Sequence, residues 1–159
     1  MICNPEDTEK TLRTQFFPFD PLGKEFHVWS YWTGEYLGVR GVDFPVTLKT
    51  HETAQLRLPP VSDQTRPVLI GSDLHISMGA AEIADVAVTD GQMTIALKPE
   101  AGARDGRLYV YLNGQTVGNV SATGCCAAAE SVRDDVLCLR VTDRNEKSGQ
   151  TVTVVWDPQ

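Results

Sequence analysis

The sequence predicts an all-β protein, an antiparallel β-sandwich arranged as two packed β-lobes. Three observations predict it. Apolar and polar residues alternate at period two in stretch after stretch, as in Val42 to Lys49 and Arg107 to Leu112. Turn-forming Gly, Pro, Asn and Asp interrupt the chain about every 8–12 residues. No apolar stripe of helical period runs for as many as about ten residues, so about a dozen short strands are expected.

Taken in order, Lys10 to Phe17 reads as a first strand, stopped by Pro18 and the Asp20-Pro21-Leu22-Gly23 turn. Lys24 to Gly38 then holds two of the three tryptophans, two of the four tyrosines and one of the three histidines. As a strand it sends Phe26, Val28, Ser30 and Trp32 to one side and His27, Trp29 and Tyr31 to the other. Thr33-Gly34-Glu35 turns it into a second strand, Tyr36 to Arg40. This hairpin is aromatic on both faces, so either it is covered on both sides or one face is left for a partner. Gly41 to Thr50 alternates, with Pro45 marking an edge or a bulge. Ala54 to Leu58 is a strand closed by Pro59-Pro60. The polar stretch Val61 to Arg66 is the natural internal boundary, and it leads into Pro67 to Gly71.

The second half continues in the same style. Asp90-Gly91 signals a hairpin between Val86–Val88 and Met93–Leu97, and Ala101 to Gly106 is a loop. Asn113-Gly114 signals a second hairpin that returns the Leu108–Leu112 strand along Gln115 to Ser121. Gly124 to Glu130, small and Ala-rich, has the composition of one helical turn but is too short to be a main element. Val136 to Asp143 and Thr151 to Trp156 are the last strands. The lobes are expected over 1–70 and 71–159, the alternative being one larger sandwich over 1–159.

Composition narrows the function. With 42% hydrophobic and 22% charged residues, 159 residues suffice for a real core. A formal charge of −7 argues against nucleic acid and anionic membranes as partners. No apolar run approaches the roughly 20 residues of a membrane helix. The first ten residues, MICNPEDTEK, lack the basic and apolar regions of a signal peptide. The four cysteines include the vicinal pair Cys125-Cys126 and read as reduced thiols; no spacing matches a zinc motif, and neither metal nor cofactor is expected.

No catalytic constellation stands out: there is no G-x-S-x-G, no H-E-x-x-H and no glycine-rich phosphate loop. The carboxylates read as solvated surface charges. Trp29, Tyr31, Trp32 and Tyr36, or Tyr109 and Tyr111, have two readings. Exposed rings form a platform on which sugar C–H faces stack; buried, they fill a core or an interface. His75, between Gly71 and Gly79, either contacts a ligand or bonds a loop backbone and pins the two lobes together.

Five segments in order resemble a known family: NPEDTEKTLR (Asn4 to Arg13), the D-P-L-G turn (Asp20 to Gly23), EFHVWSYWTGEYLG (Glu25 to Gly38), QLRLPP (Gln55 to Pro60) and RPVLIGSDLHISMGAAEI (Arg66 to Ile83). The set is similar to the C-terminal β-sandwich region that follows the catalytic (β/α)8 barrel in α-galactosidase (melibiase)-like glycoside hydrolases. The likeness spans about residues 3 to 83; Cys3 departs from it, and residues 84 to 159 carry none of its motifs. The resemblance implies a fragment of an exo-acting hydrolase of α-linked sugars, without the barrel that bears the catalytic aspartates, and so no enzyme by itself. The expected function is a non-catalytic accessory domain that braces the barrel or its oligomer, with Trp29, Tyr31, Trp32 and Leu37 as anchors. The alternative is a carbohydrate-binding module holding an α-galactoside or polysaccharide on its aromatic rings.

Overall fold

Fifteen strands and no helix occur among the described residues of the computed structural model, which cover 1–14, 25–61, 65–144 and 149–157. The chain is all-β, as the period-two pattern predicts. It divides into two compact units, Met1–Ser62 and Asp63–Gln159, and every sheet draws its strands from one unit only. The division falls inside the polar stretch 61–66 and not at residue 70. The reason is pairing: Val68–Ser72 hydrogen-bonds to Leu108–Tyr111 and so belongs wholly to the second unit.

The second unit is a sandwich of two four-stranded antiparallel sheets. Its strands are β8 (Val68–Ser72), β9 (Ile83–Val88), β10 (Gln92–Leu97), β11 (Gly106–Tyr111), β12 (Val117–Thr123), β13 (Cys126–Arg133), β14 (Val136–Thr142) and β15 (Gln150–Trp156). One sheet runs β13-β14-β11-β8 and the other β12-β15-β10-β9. Alternation sends Leu108, Val110, Leu137, Leu139 and Val141 inward from the first. Met93, Ile95, Val152, Val154 and Trp156 meet them from the second. Each such side chain withdrawn from water contributes roughly 1.5–3 kcal/mol.

Two expectations are corrected here. Asn113 and Gly114 do turn, with φ of 56° and 77°, but they close no hairpin. Both edges of β11 are already taken, by β14 and β8, so the chain must cross to the other sheet, where β12 pairs with β15. The Ala-rich segment is no helical turn: it is the start of β13, an edge strand whose small residues lie flat along β14. By contrast, β9 and β10 pair across Asp90-Gly91 as the sequence suggests.

The first unit contains β1 (Ile2–Cys3), β2 (Lys10–Arg13), β3 (Glu25–Ser30), β4 (Glu35–Gly41), β5 (Pro45–Leu48), β6 (Thr53–Ala54) and β7 (Leu56–Arg57). They form three small sheets, β1-β6, β2-β5 and β4-β3-β7. Pro45 opens β5, where a missing N–H costs least. The Asp20-Pro21-Leu22-Gly23 turn and the end of the first predicted strand lie outside the described residues. Asn4 is buried and works as a strut: its Nδ2 donates to Thr8, Leu48 and Lys49 carbonyls at 2.8, 3.2 and 2.9 Å.

The aromatic hairpin is β3 and β4, joined by residues 31–34, with Gly34 N donating to Ser30 O at 3.0 Å. Beyond Trp29, opposite Tyr36, β4 carries one extra residue, a bulge with Gly38 at φ 84°. β3 is the middle strand, flanked by β4 and β7, and His27, Val28, Trp29 and Ser30 are all buried. Consecutive residues face opposite ways, so the strand is covered on both faces. Trp29→Ala is therefore expected to destabilise the first unit by about 3–5 kcal/mol, read from urea denaturation followed by far-UV circular dichroism.

Candidate functional site

The rings of the hairpin divide by depth. Trp29 is 0% exposed and so is a core residue, not a sugar platform. Tyr31 stands edge-on to it, centroids 6.2 Å apart, and Trp32 stands edge-on to Tyr31 at 4.9 Å. This T-shaped relay runs from the core outwards and ends on Trp32, which is 60% exposed. Tyr36 is a strut and not part of an open face: its hydroxyl meets His27 Nδ1 at 2.8 Å. Burial pushes the His27 pKa down, so the ring is held neutral. Tyr36, Leu37 and Arg40 of β4 line a groove of about 490 Å³ with Phe44 and the start of β5. Val39 and Val42 of the same unit are also exposed.

His75 belongs to the second unit, and its polar contacts close its own loop. Nδ1 accepts from Ser77 N at 3.1 Å and lies 2.9 Å from Ser77 Oγ. The Ser77 hydroxyl reaches the fully buried Glu82, Oγ to Oε2 at 2.8 Å, and accepts from Ala81 N. The imidazole is thus a loop-building group.

A polar cluster that sequence reading did not single out lies on the outer face of the β13-β14-β11-β8 sheet. Arg107 and Arg140 are direct cross-strand partners, an arrangement that would be repulsive alone. Glu130 resolves it. A bulge between Ala129 and Ser131 re-aims this carboxylate onto the outer face. There it takes Arg107 Nε at 2.6 Å and Nη2 at 3.3 Å, and lies 3.8 Å from Arg140 Nη1. Asp73, at the end of β8, accepts from the Arg107 backbone N–H and, at 3.3 Å, from the Tyr109 hydroxyl. Hydrogen bonds from Arg107 and then Cys138 hold the Glu130 pKa below the usual glutamate value. Burial, followed by the charge of Asp73, raises the Tyr109 pKa. Burial, then its hydrogen bond and charge interaction with Glu130, pushes the Cys138 thiol up to about 11, which removes it as a nucleophile at neutral pH. The four cysteines are free thiols, and no group of three metal-ligating side chains occurs among the described residues.

The signal for this cluster was present in the alternation. With Leu108 and Val110 inside, Arg107, Tyr109 and Tyr111 must be outside, and Cys138 and Arg140 likewise on β14. What the sequence did not carry was the pairing of β11 with β14 across two intervening strands, nor the bulge that turns Glu130. Compared with known proteins, the chain matches no family model, no curated protein and no solved structure.

The Glu130 interaction sets a pH dependence. A carboxylate with a depressed folded pKa stabilises above its unfolded value, about 4.5, and the benefit is lost as pH falls through the folded value. Wild type is therefore expected to melt above Glu130→Gln at neutral pH. The gap should close below about pH 4.5 in melting curves run between pH 7 and pH 2; a gap independent of pH would show that the carboxylate charge is not the source.

Proposed function

We propose that this chain is a non-catalytic accessory β-domain of an α-galactosidase-like glycoside hydrolase, docking on the catalytic barrel or its oligomer through the hairpin tip of the first unit. The observation that carries this reading is Trp32, 60% exposed at the end of the Trp29–Tyr31–Trp32 relay. A tryptophan buries some 150–250 Å² when covered, and interface hot spots are enriched in it. Here the edge-on Tyr31 fixes the indole before any partner arrives, which lowers the entropy cost of docking. The ordered sequence segments 4–13, 20–23, 25–38, 55–60 and 66–83 supply the resemblance that names the partner class. The carboxylates of the outer-face cluster also favour a non-catalytic role. Glu130 is held by Arg107, and Asp73 by Tyr109 and the Arg107 backbone, so neither stands ready as an acid or base.

A sugar-binding module is the second reading, and Trp32 favours it too, because a solvent-facing ring is what a pyranose stacks on. The two readings separate on one variant. For docking, sedimentation velocity of the chain is expected to show concentration-dependent association, weakened about 30-fold or more by Trp32→Ala. Tryptophan fluorescence should then be unmoved by galactose or melibiose. A saturable fluorescence change that disappears in Trp32→Ala, with circular dichroism unchanged, would replace docking by sugar binding. Association that persists undiminished in Trp32→Ala would remove the tip as an anchor.

A further inference from the structure

We propose that the cavity of the second unit at Asp105, Gly106, Arg107 and Arg140 binds a neutral polyhydroxylated ligand the size of one saccharide ring. This site does not rest on the docking reading and uses none of its residues. The cavity measures about 150 Å³, about half the smallest volume usual for drug-sized ligands, so its occupant is small.

Its walls offer both halves of a diol contact. Arg140 lies in an ion pair with Glu130 at 3.8 Å, beyond hydrogen-bond reach, and its guanidinium donates to no acceptor among the described residues. Asp105 is its complement. Oδ1 accepts from Asp143 N at 3.1 Å, and Oδ2 has no donor among the described residues. One ligand hydroxyl can donate to Asp105 Oδ2 while its neighbour accepts from Arg140, two charge-assisted hydrogen bonds from adjacent groups. Gly106 fixes the strand start beneath them. A Cβ there would come within 2.7 Å of Asp73 Oδ1 and 2.8 Å of Leu74 Cδ2, so a larger residue would have to push both side chains aside.

Charge selects the ligand class. Arg107 and Arg140 face Asp73, Glu130 and Asp105, so the patch carries one negative charge on a chain of net charge −7. Glu130 and Asp73 already engage Arg107 from outside the cavity, so an oxyanion inside it would meet the Asp105 carboxylate, and a cation would meet two guanidinium groups. A neutral ligand with donors and acceptors on adjacent carbons uses both signs at no such cost. The aromatic groups of this face lie one and two alternations along β11, at Tyr109 and Tyr111. The cavity itself is polar, so recognition there is through hydroxyls and not through stacking.

The test is a titration of the whole 159-residue chain by two-dimensional ¹H–¹⁵N NMR, using galactose and glucose as neutral probes and galacturonate and inorganic phosphate as anionic ones. Saturable shifts of the Gly106, Arg107 and Arg140 amides are expected with a neutral sugar, at a Kd of about 1–10 mM. Arg140→Ala, and Asp105→Asn, which keeps the oxygen that holds Asp143 N, should each weaken the response about tenfold or more. Trp32→Ala should leave it unchanged, which keeps this site's outcome separate from that of the hairpin tip. Saturation by galacturonate or phosphate alone would make the cavity an oxyanion site and overturn the proposal. So would shifts that survive both variants, or no saturation by any probe up to about 100 mM.

Discussion

The second unit depends on a buried guanidinium. Arg144, 3% exposed, donates from Nε to Gln150 Oε1 at 2.8 Å and from Nη1 to Ala103 O at 2.7 Å. Nη2 serves two more carbonyls, Lys98 at 2.7 Å and Ala101 at 2.8 Å. Taking such a charge out of water costs several kcal/mol, and four oxygens together with the buried Glu82 offset it. Burial lowers the Arg144 pKa, while Cys125 and then Glu82 act in the opposite sense. The consequence is spatial. One side chain gathers the 98–103 loop and the start of β15 around the end of β14. Ala103 N bonds Leu74 O, and Lys98 N bonds Glu82 O, which adds the His75 loop to the same cluster. The Asp105–Gly106 entry to β11, and with it the outer-face cavity, is held at the rim of this arrangement.

The other organising constraint is edge occupancy. A strand has two hydrogen-bonding edges, and β11 spends one on β14 and the other on β8. The segment after Asn113-Gly114 cannot return alongside it, whatever its turn chemistry prefers. Leu112 N and Gly114 N instead bond Asp135, backbone and side chain respectively, which anchors the crossover to the turn between β13 and β14. This crossover makes two sheets out of what would otherwise be a meander, and it puts Arg107 beside Arg140.

Much of the fold was legible because period two is a local property. Strand existence and inward faces follow from alternation, and β9–β10, β14 and β15 lie close to where the sequence puts them. What failed was non-local. Asn113-Gly114 looked like a hairpin because a turn signal says how the chain bends, not which edges are vacant. Gly124 to Glu130 had the composition of one helical turn, but alanine propensity is weak against a neighbouring strand that needs a partner. At the hairpin, Trp29 and Trp32 were equivalent as residue types. Their places in the fold separate them: Trp29 lies in the middle strand, buried on both faces, and Trp32 in the exposed turn that follows it.

Two bulged edge strands, β4 beside the hairpin tip and β13 beside the outer-face cavity, follow one rule applied to different neighbours. A bulge on an edge strand re-aims a side chain, and what that side chain then meets decides the chemistry. On β4 the bulge at Gly38 falls between Tyr36, whose hydroxyl is held by His27, and the exposed Val39, so the strand presents aliphatic surface beside its groove. On β13 the bulge turns Glu130 towards two arginines, so the face presents charge that is largely paired. Paired charge attracts ions weakly, because its field falls off within a few ångströms, yet each exposed N–H or oxygen that meets only water is open to a ligand group at hydrogen-bond range. The first surface therefore rewards a partner that removes apolar area from water. The second rewards one that supplies hydroxyl groups in register with Arg140 and Asp105.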